Sequence, residues 1–181
     1  MTKTNIEMFR DGIFALRTRR FGNVAEIMIK KIYKLEDSHT IKYDKFDASQ
    51  NNKIEIKFST VMKKNNKKID ETNVIQQCLN ANIANRAMKY NEKEKYKFDC
   101  NIQQIKCHKF DILYYGLFFA DKILIYKMTS EQIKKFNGYC DKQHDGNIGE
   151  GQFHINNKTF IDHKQYLIKE ISYQQLYNII K

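Results

Sequence analysis

A mixed central β-sheet flanked by helices, of the α/β or α+β class, is the architecture this sequence predicts. Three observations carry the prediction. Residues 22–35, GNVAEIMIKKIYKL, set Val24, Ile27, Met28, Ile32 and Leu35 on one helical stripe. Residues 40–47 and 53–61 alternate as strands do and are joined by Ser49-Gln50-Asn51-Asn52, a turn composition. Farther on, FDILYYGLFF at 110–119 and KILIYKM at 122–128 are apolar runs of strand length.

The remaining elements follow in chain order. KKNNKK at 63–68 is a charged break that reads as a loop or exposed turn. ETNVIQQCLNANIANRAMKY at 71–90 predicts a second helix, its apolar face interrupted by Asn82 and Asn85. Residues 100–107 read as a further strand, and Ser130 as the cap of a short helix starting at Glu131. The stretch 137–151 holds four of the seven glycines and reads as a loop, followed by a short strand, QFHI, at 152–155. SYQQLYNIIK closes the chain as a helix. No repeat and no linker divides the sequence, so 1–181 is expected to be a single domain. Hydrophobic residues at 41% and aromatics at 13% exclude a disordered chain.

Thirty-two Lys+Arg against 21 Asp+Glu give a formal charge of +11, which points to a polyanionic partner, nucleic acid above all. Cys78, Cys100, Cys107 and Cys140 form neither a CxxC nor a disulfide-scaffold spacing, and with His108 and His144 they match no compact zinc knuckle. The N-terminus, MTKTNIEMFRDGIF, lacks the apolar core of a signal peptide, and no run is long enough to span a bilayer. A soluble cytoplasmic protein without membrane contact is expected.

The chemistry is concentrated in YDKFDASQNNKIEIKFS, residues 43–59. In an alternating strand Ile54, Ile56 and Phe58 face one way, and Lys53, Glu55, Lys57 and Ser59 face the other. A regular hairpin brings Lys42, Asp44 and Phe46 to that second face, whereas Asp47 has the opposite parity unless the turn redirects it. Two carboxylates on adjacent strands suit a hard divalent cation such as Mg²⁺, which takes oxygen ligands and uses one or two protein carboxylates plus water and substrate phosphate. A lysine beside them can orient the attacking water or stabilise charge on the phosphate. The same spacing describes a solvated hairpin whose outer face pairs Glu with Lys. Likewise Glu26 reads either as an acid reaching this site or as an exposed helical carboxylate with Lys30 four residues on.

Asp44 followed by Glu55-Ile56-Lys57, after a helix bearing Glu26, resembles the PD-(D/E)xK nuclease superfamily, and its type II restriction endonucleases in particular. The matched core covers residues 22–61. No proline precedes the acidic residue, and both Asp44 and Asp47 are candidates for it. The resemblance implies a restriction-endonuclease-like fold, with Asp44 and Glu55 as metal ligands, Lys57 assisting the attacking water and Glu26 reaching the metal site; Asp47 is the rival for the role of Asp44. It implies Mg²⁺, with Mn²⁺ as a substitute, and hydrolysis of phosphodiesters in double-stranded DNA. Cutting both strands of a palindrome implies a homodimer, and a cognate methyltransferase in trans is a further expected partner. A repair, junction or RNA nuclease of the same fold, or a non-catalytic nucleic-acid-binding domain, are the alternatives.

Asn and Gln pair bidentately with adenine, and Lys or Arg with guanine, in the major groove. Gln103, Gln104 and Lys106, and the stretch with Gln143, His144, Asn147, Gln152 and His154, are the candidates for base readout, the latter with glycines that allow close approach. Arg19 and Arg20, in the cluster Arg17-Thr18-Arg19-Arg20, are candidates for phosphate contact.

Overall fold

In the computed structural model, residues 3–40, 42–65, 67–142 and 148–181 are described. The first helix, α1 (Asn5–Ala15), is one the apolar pattern does not assign; reciprocal capping holds its start, the Glu7 N–H donating to Thr4 Oγ1 and the Thr4 N–H to the Glu7 carboxylate. The predicted stripe becomes α2 (Thr18–Tyr33), one turn longer at its start and ended by Lys34 in the left-handed region (φ 54°). Its buried residues are Phe21, Ala25, Met28 and Ile29, so the stripe is rotated from the expected one and Ile27 is exposed.

The expected strand at 40–47 contracts. Ser38 Oγ donates to the Thr40 carbonyl and accepts the Thr40 N–H, which folds that stretch into a turn. What remains is β1 (Glu36–Asp37) and β2 (Lys45–Asp47), followed by β3 (Asn52–Thr60). These pair antiparallel, with Lys45 opposite Ile54 and Asp47 opposite Asn52. Ile41, part of the alternation argument, lies outside the described residues.

The single helix expected at 71–90 is two short ones, α3 (Val74–Asn80) and α4 (Ile83–Arg86). Carboxamides compete for the backbone here, the Asn85 amide donating to the Leu79 carbonyl. Beyond α4 the chain turns extended. Met88 is fully buried, its N–H donating to the Val61 carbonyl and its carbonyl accepting from Ala120.

β4 (Asp99–Ile105), β5 (Ile112–Phe118) and β6 (Ile123–Thr129) fall within two residues of their expected ends. The short helix α5 (Ser130–Lys135) is capped by Thr129, not Ser130, in a box with Gln132. Where it is described, the glycine-rich stretch is mostly strand and not loop: β7 (Tyr139–Lys142) and β8 (Ile148–Asn156) pair antiparallel, and 143–147 lie outside the described residues. Gly151 serves packing here, because a Cβ on it would lie 2.1 Å from the Tyr139 hydroxyl that bonds the Ile105 carbonyl. β9 (Leu167–Ile171) follows, and α6 (Tyr173–Ile180), capped by Ser172, closes the chain as expected.

The main sheet has the order β1-β2-β3-β5-β6-β9, with β3 parallel to β5 and the other pairs antiparallel. A mixed sheet flanked by helices is thus the architecture. Ile54, Ile56, Tyr114 and Ile125 pack against Phe21, Met28 and Leu176 of the helices on one face. Leu113, Tyr115, Leu117 and Tyr126 pack on the other face against Cys100, Ile102, Phe153 and Ile155 of a small antiparallel sheet, β4-β8-β7, together with Ile133 of α5. Among the described residues no helix is long and apolar enough to cross a membrane.

Candidate active site

β3 is paired with β5 from Ile54 to Thr60, but with β2 only from Asn52 to Ile54. The hairpin therefore splays at the point where Glu55-Ile56-Lys57 begins, and among the described residues no strand pairs with that edge of β3. Asp44, just before β2, occupies it. Its N–H donates to the Ile54 carbonyl at 2.9 Å, and its Oδ2 accepts the Ile56 N–H at 2.7 Å. A side-chain oxygen thus replaces the backbone carbonyl that a longer β2 would supply. The expected convergence of Asp44, Glu55 and Lys57 occurs, but Asp44 arrives from a bend and not from a regular strand.

Glu55 and Lys57 lie opposite Leu113 and Tyr115 and share their face of the sheet, the one turned toward the small sheet. Glu55 is only 8% exposed, so this is not a solvated hairpin face. Lys57 Nζ sits 2.6 Å from Glu55 Oε1 and 3.5 Å from Asp44 Oδ2. Burial raises the Glu55 carboxyl above the usual carboxylate range; Lys57 opposes that rise, while Asp44 and, more weakly, Glu26 add to it. Burial disfavours the Lys57 ammonium, but Glu55 and Asp44 outweigh it and hold Lys57 above the usual lysine range.

The donor set fits a hard cation. Both carboxylates already reach around one positive centre, the lysine ammonium, and each oxygen ligand is of the type Mg²⁺ takes. Among the described residues no group of three His, Cys, Asp or Glu side chains surrounds a common point, so water and a substrate phosphate would complete the coordination of Asp44 and Glu55.

Glu26 sits on α2, in the helix layer, and its direct partner is Lys45 Nζ at 3.3 Å, which also meets Asp37 at 3.2 Å. Lys30 pairs with Asp37 rather than with Glu26. Glu26 is therefore near enough to act on Glu55 but is held by an ion pair that sequence spacing does not reveal. Asp47 is separate from the cluster. Its carboxylate accepts from Ser49 N and Ser49 Oγ at the hairpin turn, and its charge acts on Tyr114 on the helix-side face. Parity explains this, since Asp47 faces Asn52.

The readout candidates divide. Gln143, His144 and Asn147 lie outside the described residues. Gln152 is buried and its amide donates to the Lys142 carbonyl, so it serves the β7–β8 hairpin. His154, opposite Asn101, and Gln104 are exposed; Gln104 has φ 60° at a bulge between Ile102 and Ile105. Gln103 is half-buried, and Lys106 is ion-paired with Glu150. Arg19 and Arg20 are exposed on the first turn of α2, and helical periodicity puts Arg19 on the same stripe as Glu26. The free Cys100 is buried with its thiol donating to the Thr60 carbonyl.

Two features had no readable signal. One is the open β3 edge, which depends on where β2 stops. The other is His163, 1% exposed, whose Nδ1 lies 2.9 Å from the Tyr115 hydroxyl among the rings of Phe136 and Phe153. No known protein family, characterised protein or solved structure matches the chain.

Proposed function

We propose that the protein is a Mg²⁺-dependent endonuclease of duplex DNA, with a restriction-endonuclease-like fold, acting as a type II restriction enzyme. The observation that carries this reading is the convergence of Asp44 and Glu55 on Lys57 at an unpaired strand edge. An edge free of a strand leaves room for a substrate backbone, and burial of Glu55 keeps the charges from being screened by water. The net charge of +11 favours a polyanionic substrate.

The reaction is hydrolysis of a phosphodiester. Water oxygen bonds phosphorus as the bond to the leaving oxygen breaks; of the two water protons, one is released to solvent and the other is taken up, through solvent, by the leaving oxygen, giving a phosphate monoester and an alcohol. Asp44 and Glu55 would hold the cation, and the backbone bond from Ile56 fixes the orientation of Asp44. Lys57 orients the water and neutralises charge that grows on the phosphate. Bound there, Mg²⁺ supplies Lewis-acid stabilisation of the phosphoryl oxygens. Cutting both strands of a symmetric site calls for two copies of this chain, and a methyltransferase in trans would protect the host's own sites; a cytoplasmic location accords with this role.

Digestion of unmethylated plasmid DNA tests the proposal. Discrete Mg²⁺-dependent fragments support a site-specific enzyme. A smear, structure-dependent nicking, or cleavage of RNA alone instead supports a nuclease of another substrate class. A second reading is favoured by the Lys57 contacts themselves: the three charges satisfy one another, as a purely structural ion cluster would. On that reading the protein binds DNA without cutting it, and Glu55→Gln changes nothing but stability.

A further inference from the structure

We infer that a groove between residues 63–65, α3 and Arg86 is a second nucleic-acid contact, which grips duplex DNA by its phosphates and reads base edges with carboxamides. The groove encloses about 710 Å³ and is lined by Lys63, Lys64, Lys67 and Arg86 together with Asn and Gln side chains, and by no carboxylate. It shares Lys64 with two further depressions, both lined also by Asp99, the second of which adds Lys97 and Lys158. Two of these cations are partly neutralised, Lys63 by Glu92 at 3.0 Å and Lys64 by Asp99 at 3.5 Å. Lys67 and Arg86 are exposed and have no carboxylate partner among the described residues. A groove with two unpaired and two partly neutralised cations can bind a repeating phosphate backbone through counterion release.

The carboxamides separate a nucleic acid from a simple anion. Gln76 Nε2 donates to Asn80 Oδ1 at 3.0 Å. Both residues line the groove, so the Gln76 carbonyl oxygen and the Asn80 amide remain as one acceptor and one donor for a ligand. An acceptor and a donor are the two group types that the N6 and N7 positions on the major-groove edge of adenine take.

Duplex rather than single strand follows from the aromatics. Single-strand sites stack bases on open aromatic faces. The aromatic side chain lining this groove is Tyr96, and its ring is covered by Lys63 at 4.4 Å and flanked by Lys95 at 5.2 Å. Lys63 follows Lys57 by six positions along β3 and its continuation, roughly 20 Å at ~3.3 Å per residue. At ~3.4 Å per base pair, a duplex lying along β3 spans that distance in about six base pairs.

The inference shares duplex DNA with the catalytic proposal, and its test lets the two fail separately. Fluorescence anisotropy with a labelled mixed-sequence duplex of about 20 base pairs, in EDTA and between about 50 and 200 mM salt, measures binding without hydrolysis. The variant Lys64→Ala/Lys67→Ala/Arg86→Ala is expected to lose at least about ten-fold in affinity and about 2–3 units of log–log salt slope, one per lost phosphate contact. Lys64→Arg/Lys67→Arg/Arg86→Lys is expected to bind as the wild type does, which separates lost charge from lost fold. Gln76→Ala/Asn80→Ala is expected to keep the salt slope and to lose enrichment of A-containing sites from a randomised duplex pool. Wild-type affinity and slope in the triple-alanine variant would overturn the inference, as would groove-dependent binding of single-stranded RNA in place of the duplex, or absence of duplex binding by the wild type. Groove-dependent binding with no cleavage under Mg²⁺ would uphold the groove while refuting the nuclease.

Discussion

Lys57 Nζ stands 2.6 Å from Glu55 Oε1 and 3.5 Å from Asp44 Oδ2, and so holds the place between two carboxylates where a divalent cation would otherwise draw them together. On the proposed reading, lysine and metal would compete for the same pair of oxygens.

That competition gives the first prediction. Lys57→Met should bind Mn²⁺ at least as tightly as the wild type, because an ammonium is removed from the cation's surroundings, yet cleave roughly 10²–10³-fold more slowly. Isothermal titration with Mn²⁺ and a single-turnover cleavage assay measure the two quantities on one sample. Loss of both together would mean that Lys57 holds the site's structure and not its chemistry.

Glu55→Gln should abolish Mn²⁺ binding while costing less stability than the roughly 3–5 kcal/mol of a buried ion pair broken outright. The amide keeps the volume of the buried side chain, and Lys57 retains Asp44 as its counter-ion. Chemical denaturation checks the stability, and a loss of several kcal/mol would show that the ion cluster is a structural requirement of the fold.

His163 provides the pH dependence. Burial lowers its pKa from 6.5 to about 4. The unfolded chain therefore binds the proton that the folded chain refuses, and stability falls as pH drops from 6.5 to about 4, by up to roughly 3 kcal/mol. His163→Phe should flatten the acid limb between those values. It should also cost about 1–3 kcal/mol at neutral pH, since the Tyr115 hydroxyl loses its partner. Urea denaturation at several pH values gives both numbers.

Gly116→Ala should destabilise the protein by about 1–3 kcal/mol or more. A Cβ there would lie 2.1 Å from the Leu124 carbonyl oxygen and 2.4 Å from Phe58, the residue after Lys57. Backbone cannot step aside inside a paired sheet, so β5 must shift against β3 or β6. A thermal melt indistinguishable from the wild type would contradict this close approach.

The sequence made some of this legible and concealed the rest for identifiable reasons. α2, β3, β5 and β6 were readable because each buries a periodic apolar set, as Ile54 and Ile56 do beside Glu55 and Lys57. The hairpin β7–β8 was hidden because the glycines of 138–151 look like loop residues, whereas Gly151 makes room for Tyr139. The expected helix at 71–90 failed because periodicity does not count the carboxamides that break it. Within the site, parity favours Asp44 over Asp47 but leaves both open, because a turn can redirect Asp47; its bonds to Ser49 at the hairpin turn set it apart. Parity could not show that Asp44 would bond the Ile56 N–H, nor that Lys45 from β2 would take Glu26, because both are contacts between distant segments. The run KKNNKK announced charge without announcing a groove; its Asn66 lies outside the described residues.

The most direct test of the central claim is cleavage of an end-labelled pool of unmethylated duplexes in Mg²⁺ and in EDTA, by the wild type, Lys57→Met and Asp47→Asn. The account predicts Mg²⁺-dependent cutting by the wild type and by Asp47→Asn, and cutting slowed roughly 10²–10³-fold in Lys57→Met. Cutting by Lys57→Met at the wild-type rate, or no cutting of any duplex by a folded wild type in Mg²⁺ or Mn²⁺, would contradict it.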